Sequence, residues 1–286
     1  MIRIRPAISL KVAAIVALAS VSAMAVAADS SSDGFTSLLS GNTLAGWQGD
    51  PDFFSVKDGV LSAGAEKDTP HNTYLILDKP HGDFEIHYKY RWKTADGNSG
   101  IQFRSGKADG HFALAGMQAN VTPVTPSVER FGMLYEELGD RAEMALLGQK
   151  AEITRRAAGR GGRGRIVRTV ASTTNPREAI LASIKPYPEW NEGVLIAYGD
   201  RIVHVINGLV AFDATDKDPL ARRDGLIGIQ VHSGSPMTVE YKDLAIRDLT
   251  SLPDLSGYVA HAGPAPEPHQ TYKDSTLVGM ADVALP

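Results

Sequence analysis

From residue 84 to residue 92 the chain alternates without a break. Phe84, Ile86, Tyr88, Tyr90 and Trp92 fall on one side, and Glu85, His87, Lys89 and Arg91 on the other. Successive side chains of an extended strand point to opposite faces, so this period of two marks a half-buried strand with one polar face. Short runs of the same kind recur along the chain, separated by turn signals. Lys57-Asp58-Gly59 precedes Val60-Leu61, and Pro80-His81-Gly82-Asp83 precedes the long strand. Ala95-Asp96-Gly97-Asn98 leads into Ile101 and Phe103, which alternate with Gln102 and Arg104. Met117, Ala119 and Val121 alternate with Gln118 and Asn120, and residues 131–137 form a further short run. Residues 194–197 and 201–206 read as a hairpin about Tyr198-Gly199-Asp200, and Asn207-Gly208 is a tight-turn signal. Residues 226–232 and 237–249 complete the set. Many short strands with little helix predict an all-β fold, an antiparallel sandwich or jelly roll.

The ends and one internal stretch depart from this pattern. Arg3, Arg5 and Lys11 precede an apolar run and then small residues up to Ala28, with Ala23-Met24-Ala25 and Ala25-Val26-Ala27 as cleavage candidates. This is the layout of a secretory signal peptide and predicts an exported protein, periplasmic or secreted. No later apolar run is long enough for a membrane span. Residues 29–34 read as a flexible leader, 35–250 as one β-sandwich domain, and 251–286 as a C-terminal extension rich in Pro, Ala and Gly. Residues 139–188 read as a long insertion that holds an Arg/Gly tract at 155–165 and a short helix at 176–184, with Asn175 as its cap. A loop of that length is expected to be functional or mobile.

Several function classes fall away. The chain has no cysteine, so it has no disulfide, thiolate metal site, cysteine nucleophile or lipid-bearing cysteine. Its formal charge of −4 becomes −7 once the three N-terminal cations are removed, which argues against general nucleic-acid binding. No phosphate loop, His-Glu-x-x-His helix or Gly-x-Ser-x-Gly elbow is present. Glu136 and Glu137 are adjacent, so on a strand they face opposite ways and cannot form the facing carboxylate pair of ordinary glycoside hydrolysis. What remains is a set of polar pairs two residues apart: Gln102 with Arg104, Gln118 with Asn120, and Gln230 with His232. Each pair projects to one side of its strand. Together they would make a trough of amides suited to sugar hydroxyls, or else an ordinary solvated face. His232 is the best single candidate for proton transfer. His204 alternates with Ile202 and Ile206 and reads as a core-edge histidine, and His87 with Glu85 as part of a solvated face.

A longer series of landmarks runs from Gly34 to Leu249. It includes Phe35-Thr36-Ser37-Leu38-Leu39-Ser40-Gly41, Leu44-Ala45-Gly46-Trp47, Gly82-Asp83-Phe84-Glu85 and Asn98-Ser99-Gly100-Ile101-Gln102-Phe103-Arg104. Gly116-Met117-Gln118-Ala119-Asn120, Gly132-Met133-Leu134-Tyr135, Ile206-Asn207-Gly208 and Gly228-Ile229-Gln230-Val231-His232 follow in order. In these pieces and their spacing the chain resembles the 3-keto-disaccharide hydrolase family. The resemblance implies a concanavalin A-like jelly-roll sandwich of two antiparallel sheets and action on glycosides oxidised at carbon 3. A C3 ketone acidifies the C2 proton, and loss of that proton can expel the glycosidic oxygen from C1. Such an elimination needs one base and an electrophile for the enolate. The expected proton-transfer groups are His232 and Glu137. Arg104 or a divalent metal ion is the electrophile, and no organic cofactor is expected. Asn98, Arg104, Gln118, Asn120, Tyr135, Asn207 and Gln230 are the expected sugar contacts. A sugar 3-dehydrogenase would be the pathway partner. Family members often carry an acidic residue at the position of Asn120, and its absence weakens a metal site. A non-catalytic carbohydrate-binding or surface-adhesion module is the alternative.

Overall fold

The computed structural model describes residues 33–124, 128–156, 162, 164–261 and 263, together with the backbone of 277–278. In chain order the strands are β1 (Thr36–Ser37), β2 (Trp47–Gln48), β3 (Phe54–Lys57), β4 (Val60–Ala65), β5 (Thr73–Leu77), β6 (Phe84–Trp92), β7 (Ser99–Lys107), β8 (Leu114–Val121) and β9 (Leu134–Glu137). There follow β10 (Glu143–Ala145), β11 (Gln149–Arg156), β12 (Arg165–Thr173), the helix α1 (Arg177–Ala182), β13 (Asn191–Tyr198), β14 (Arg201–Ile206) and β15 (Leu209–Asp216). The last strands are β16 (Leu226–Val231), β17 (Met237–Asp248) and β18 (Leu277–Val278). They form two sheets. The larger runs β18-β12-β11-β15-β14-β13-β6-β17-β4-β3 with β1 beside β17, and the smaller runs β10-β9-β8-β7-β16-β5-β2. Pairing is antiparallel except for β11 on β15 and β18 on β12.

The period-two pattern decides what lies between the sheets. Phe84, Ile86, Tyr88 and Tyr90 of β6 are buried, and they meet Leu75, Ile101, Phe103, Met117, Ala119 and Ile229 of the smaller sheet in one core. Phe84 and Phe103 touch across the sandwich with ring centroids 5.9 Å apart and planes at 77°, an edge-to-face pair worth about 0.5–1.5 kcal/mol beyond the area it buries. Asn207 and Gly208 both have positive φ, which gives the tight turn joining β14 to β15 the twist its strands need. The result is the expected jelly-roll sandwich. No helix among the described residues is long and apolar enough to cross a membrane.

Four expectations change. Within residues 139–188 the predicted loop is largely a hairpin, β11–β12, which extends the larger sheet by pairing with β15. Alternation was hard to see there because cations stand at buried positions, Arg155 on β11 and Arg168 on β12. Most of the Arg/Gly tract lies outside the described residues, but Arg155 is bonded to both Asp140 and Asp218, which makes it a tie between segments rather than a free basic arm. Asn175 does not cap α1, which starts from Pro176 without a side-chain cap. Its amide instead donates to Val210 O and Val259 O. The described start of the C-terminal extension packs on the fold: Leu252, Leu255 and Tyr258 lie against Ile196, Val203, Val205 and Val210 on the outer face of the larger sheet. The expected signal peptide and most of the leader fall outside the described residues.

Candidate functional site

The smaller sheet buries Ile101, Phe103, Met117, Ala119, Ile229 and Val231 against the core. Alternation therefore turns Gln102, Gln118, Asn120 and Gln230 to its other face, and His232 follows directly after the end of β16. The register brings them together: Gln102 pairs with Gln118 and Gly100 with Asn120 across β7–β8, Gln118 with Tyr135 across β8–β9, and Gln230 with Tyr74 across β16–β5. Gly100 is required here, because a Cβ at that position would come within 2.8 Å of the Gln118 side chain.

This face is concave. β8 and β7 separate Glu137 on β9 from Gln230 on β16. Three strand spacings on a flat sheet would set their backbones about 14 Å apart. Yet Gln230 Nε2 donates to Glu137 Oε1 at 3.1 Å and to Tyr74 Oη at 2.9 Å. Only a strongly curled sheet allows that contact. The β7–β8 hairpin folds over one end, where Leu114 and Phe112 cluster with Tyr74 and Ile76.

The polar groups of this hollow are buried and incompletely bonded. Gln102, Gln118 and Gln230 have no solvent exposure. Gln118 Nε2 donates to Gln102 Oε1 at 3.0 Å. Gln102 Nε2, Gln118 Oε1, Gln230 Oε1 and the Oδ1 atoms of Asn98 and Asn120 have no partner. Buried polar groups are ordinarily satisfied, so a cluster of open amide positions sets this face apart from an ordinary sheet surface. Burial first, and then the Glu137 charge, push the Tyr74 hydroxyl well above the ordinary phenol range. Tyr135 is raised by the same two causes in the same order. Both phenols therefore stay protonated and can donate to developing negative charge.

His232 stands at the far end of the face. It lines a cleft of about 310 Å³ with Asn98, Arg130 and Ser235. Its Nδ1 lies 2.6 Å from Ser233 O, an acceptor only, so the proton sits on Nδ1 and Nε2 keeps its lone pair. Glu137 lines a second cleft of about 440 Å³ on the other flank.

Two expected contacts do not belong to the face. Arg104 has φ of +46°, and the pairing of β7 with both neighbours shifts register around it, so the alternation is broken there. Its fully buried side chain donates to Gly82 O, Gly199 O and Asp83 Oδ1, strapping the end of the smaller sheet to two turns of the larger one. All three nitrogens of the guanidinium are engaged within the fold. Asn207 sits in the β14–β15 turn, donates to Ser183 O and Asn191 Oδ1 and accepts from the Glu192 amide, on the larger sheet. Glu136 is ion-paired with Arg141 and lines the same cleft as Glu137. His204 is a core residue, hydrogen-bonded to Tyr88 at 2.7 Å. His87 pairs with Glu85 on the outer face of the larger sheet.

Sequence reasoning missed Tyr74 and Arg130. Tyr74 lies in Thr73-Tyr74-Leu75-Ile76-Leu77, all five buried, where no polar alternation marks a face. Arg130 belongs to a turn whose backbone carbonyl accepts from Asn120 Nδ2 at 3.3 Å. Among the described residues no three His, Asp or Glu side chains gather as a metal-binding group.

Comparison with known proteins supplies the last observation. Residues 34–247 match the family described as the 3-keto-alpha-glucoside-1,2-lyase-like domain. Similar solved structures include a proposed glycosyl hydrolase from Parabacteroides distasonis, with 16% identity and a TM-score of 0.48 over 75% of this chain and 99% of that one. The carbohydrate-binding module CBM66 from Bacillus subtilis is 14% identical, with a TM-score of 0.41 over 75% and 96% of the two chains. The carbohydrate recognition domain of Emp46p is 12% identical, with a TM-score of 0.46 over 73% and 91%. A comparison with curated proteins finds no match.

Proposed function

This chain belongs to the family of 3-keto-α-glucoside-1,2-lyase-like domains, and from that premise we propose that its concave face binds a glycoside oxidised at carbon 3 and cleaves it by elimination. The observation that carries the reading is the Glu137 carboxylate, held by Gln230 beside buried amides with open bonding positions.

Glu137 takes the C2 proton of the 3-keto sugar. The electron pair of that C–H bond forms the enolate, and Tyr74 and Tyr135 donate to its oxygen. The enolate then forms the C1–C2 double bond, the C1–O bond breaks, and the departing oxygen takes its pair and a proton. Water adds across the double bond to give the free 3-keto sugar. In this reading the carboxylic acid formed on Glu137 returns the proton it took to the departing oxygen, and His232, with its Nε2 lone pair, is the alternative base in place of Glu137. The Gln102, Gln118, Asn120 and Gln230 amides orient the ring hydroxyls. Among the described residues no three histidine or carboxylate side chains gather to hold a metal, and each step above is carried by this chain's own residues. The 3-keto sugar must come from an oxidoreductase, a sugar 3-dehydrogenase acting in the same compartment, and the basic-then-apolar N-terminus supports an exported site of action.

The test is incubation with 3-keto-trehalose in deuterated water, following free sugar and deuterium at C2. Wild type should release sugar and exchange C2. Glu137→Gln should slow both by about 10²–10⁴ without unfolding. Full activity in both Glu137→Gln and His232→Ala would overturn the assignment. The preponderance of amides over carboxylates favours one second reading, a binding module. Saturable binding of the keto sugar with neither cleavage nor exchange would establish that instead.

A further inference from the structure

At the opposite end of the core from the Arg104 strap lies a cleft of about 500 Å³, lined among others by Tyr90, Trp92, Val124, Leu181, Ile184 and Tyr187. It is separate from the His232 cleft. The Trp92 ring packs against Gly97, so closely that a Cβ there would come within 2.5 Å of it, and Gly97 lines the His232 side. Nothing in the elimination chemistry uses this third space.

Its polar chemistry points one way. Tyr90 is 1% exposed, yet its hydroxyl has no partner, and the buried indole N–H of Trp92 has none either. The indole can only donate. Burial and then the neighbouring Tyr241 hold the Tyr90 phenol far above its usual range, so it too is a donor. Lys93 and Lys185 also line the cleft, and no Asp or Glu does. Glu240 lies 3.5 Å from the Lys93 ammonium, outside the lining, which leaves Lys185 as the cation facing a ligand. Thr94, Thr122 and Asn191 add polar edges, and the remaining wall is mainly apolar, with Val124, Leu181, Ile184, Pro186 and the half-exposed Tyr187 ring. We propose that this cleft is a binding site for a small aromatic carboxylate, whose ring lies between the aliphatic wall and Tyr187 and whose oxygens accept from Trp92 and Tyr90. A cavity of this size with apolar walls and a few converging donors is of the kind that holds small ligands. The site stands independently of the chemistry proposed for the concave face.

The test uses naphthalene-2-carboxylate as probe, titrated by calorimetry into the full-length protein. Wild type should bind it saturably with a submillimolar Kd, and 2-naphthylmethylammonium should not bind. Tyr90→Phe and Trp92→Phe each keep the ring and remove one donor, and each should weaken binding about three- to tenfold. Ile184→Trp should fill the cleft and abolish binding, with thermal unfolding close to wild type in all three. Glu137→Gln should leave binding unchanged, which separates this site from the catalytic one. No saturable binding at several-millimolar probe, equal binding of the cationic analogue, or binding indifferent to all three cleft variants would overturn the proposal.

Discussion

Replacing Gln102 and Gln118 together by leucine is expected to stabilise the fold while it destroys ligand binding. The two side chains are fully buried and joined by one bond of 3.0 Å. Two of their atoms, Gln102 Nε2 and Gln118 Oε1, have no partner. An unpaired buried polar atom costs about 1–3 kcal/mol, and a formed amide bond contributes about 1 kcal/mol net. Gln118→Leu alone removes one unpaired atom and the bond, but it leaves Gln102 Oε1 newly unpaired. The count of unpaired atoms is unchanged, so the variant loses about 1 kcal/mol. The same holds for Gln102→Leu, which strands Gln118 Nε2. The double variant removes both unpaired atoms at the expense of one bond, a net gain of about 1–5 kcal/mol. Two destabilising single changes would thus combine into a stabilising one, a coupling of about 3 kcal/mol or more. Urea unfolding of the four proteins, with m-values compared to confirm the same transition, measures it. Additive losses, or a double variant less stable than wild type, would show that the amides are satisfied within the fold and would refute their reading as open ligand positions.

Three further outcomes follow. Burial holds His204 neutral, with its pKa depressed from 6.5 to about 3. Its contribution to stability is therefore complete above pH 6.5 and is lost as pH falls from there toward 3, at about 1.4 kcal/mol per pH unit. His204→Phe should flatten the pH dependence of the unfolding free energy in that window. Arg104→Met should cost about 3 kcal/mol in denaturant unfolding through the lost strap, yet leave the catalytic pH profile and C2 exchange intact, because its partners are Asp83 and two carbonyls. Tyr74→Phe, which removes a donor to the enolate, should lower kcat about 10- to 100-fold with little change in KM if the phenol acts in the transition state.

The candidate face was partly legible because strand alternation is local. Gln118 and Asn120 are two apart within β8 and share a side, whereas Gln230 lies on β16 and His232 falls one residue past its end. Gln102 with Arg104 has the same spacing, but the left-handed backbone at Arg104 falls in a register shift, and its side chain turns to the larger sheet. Tyr74 was invisible because its strand is buried on both faces, and the resulting apolar run hides which residue points where. The β11–β12 hairpin escaped notice for a related reason: cations and threonines on both strands blur a period of two, and its pairing with β15 is a contact between segments 63 residues apart at Gln149 and Phe212.

The sequence alone therefore determined the absence of cysteine chemistry, by composition, and the sandwich with its pairing of Gln118 and Asn120 on one face, by the fixed geometry of an extended chain. Only the tertiary structure decided that Glu137, Gln230 and Tyr74 meet, that Arg104 and Asn207 bond within the frame, and that a third cleft opens beside Trp92. Those outcomes depend on strand order, register and sheet curvature. They arise from contacts between residues far apart in sequence, which a local period cannot encode.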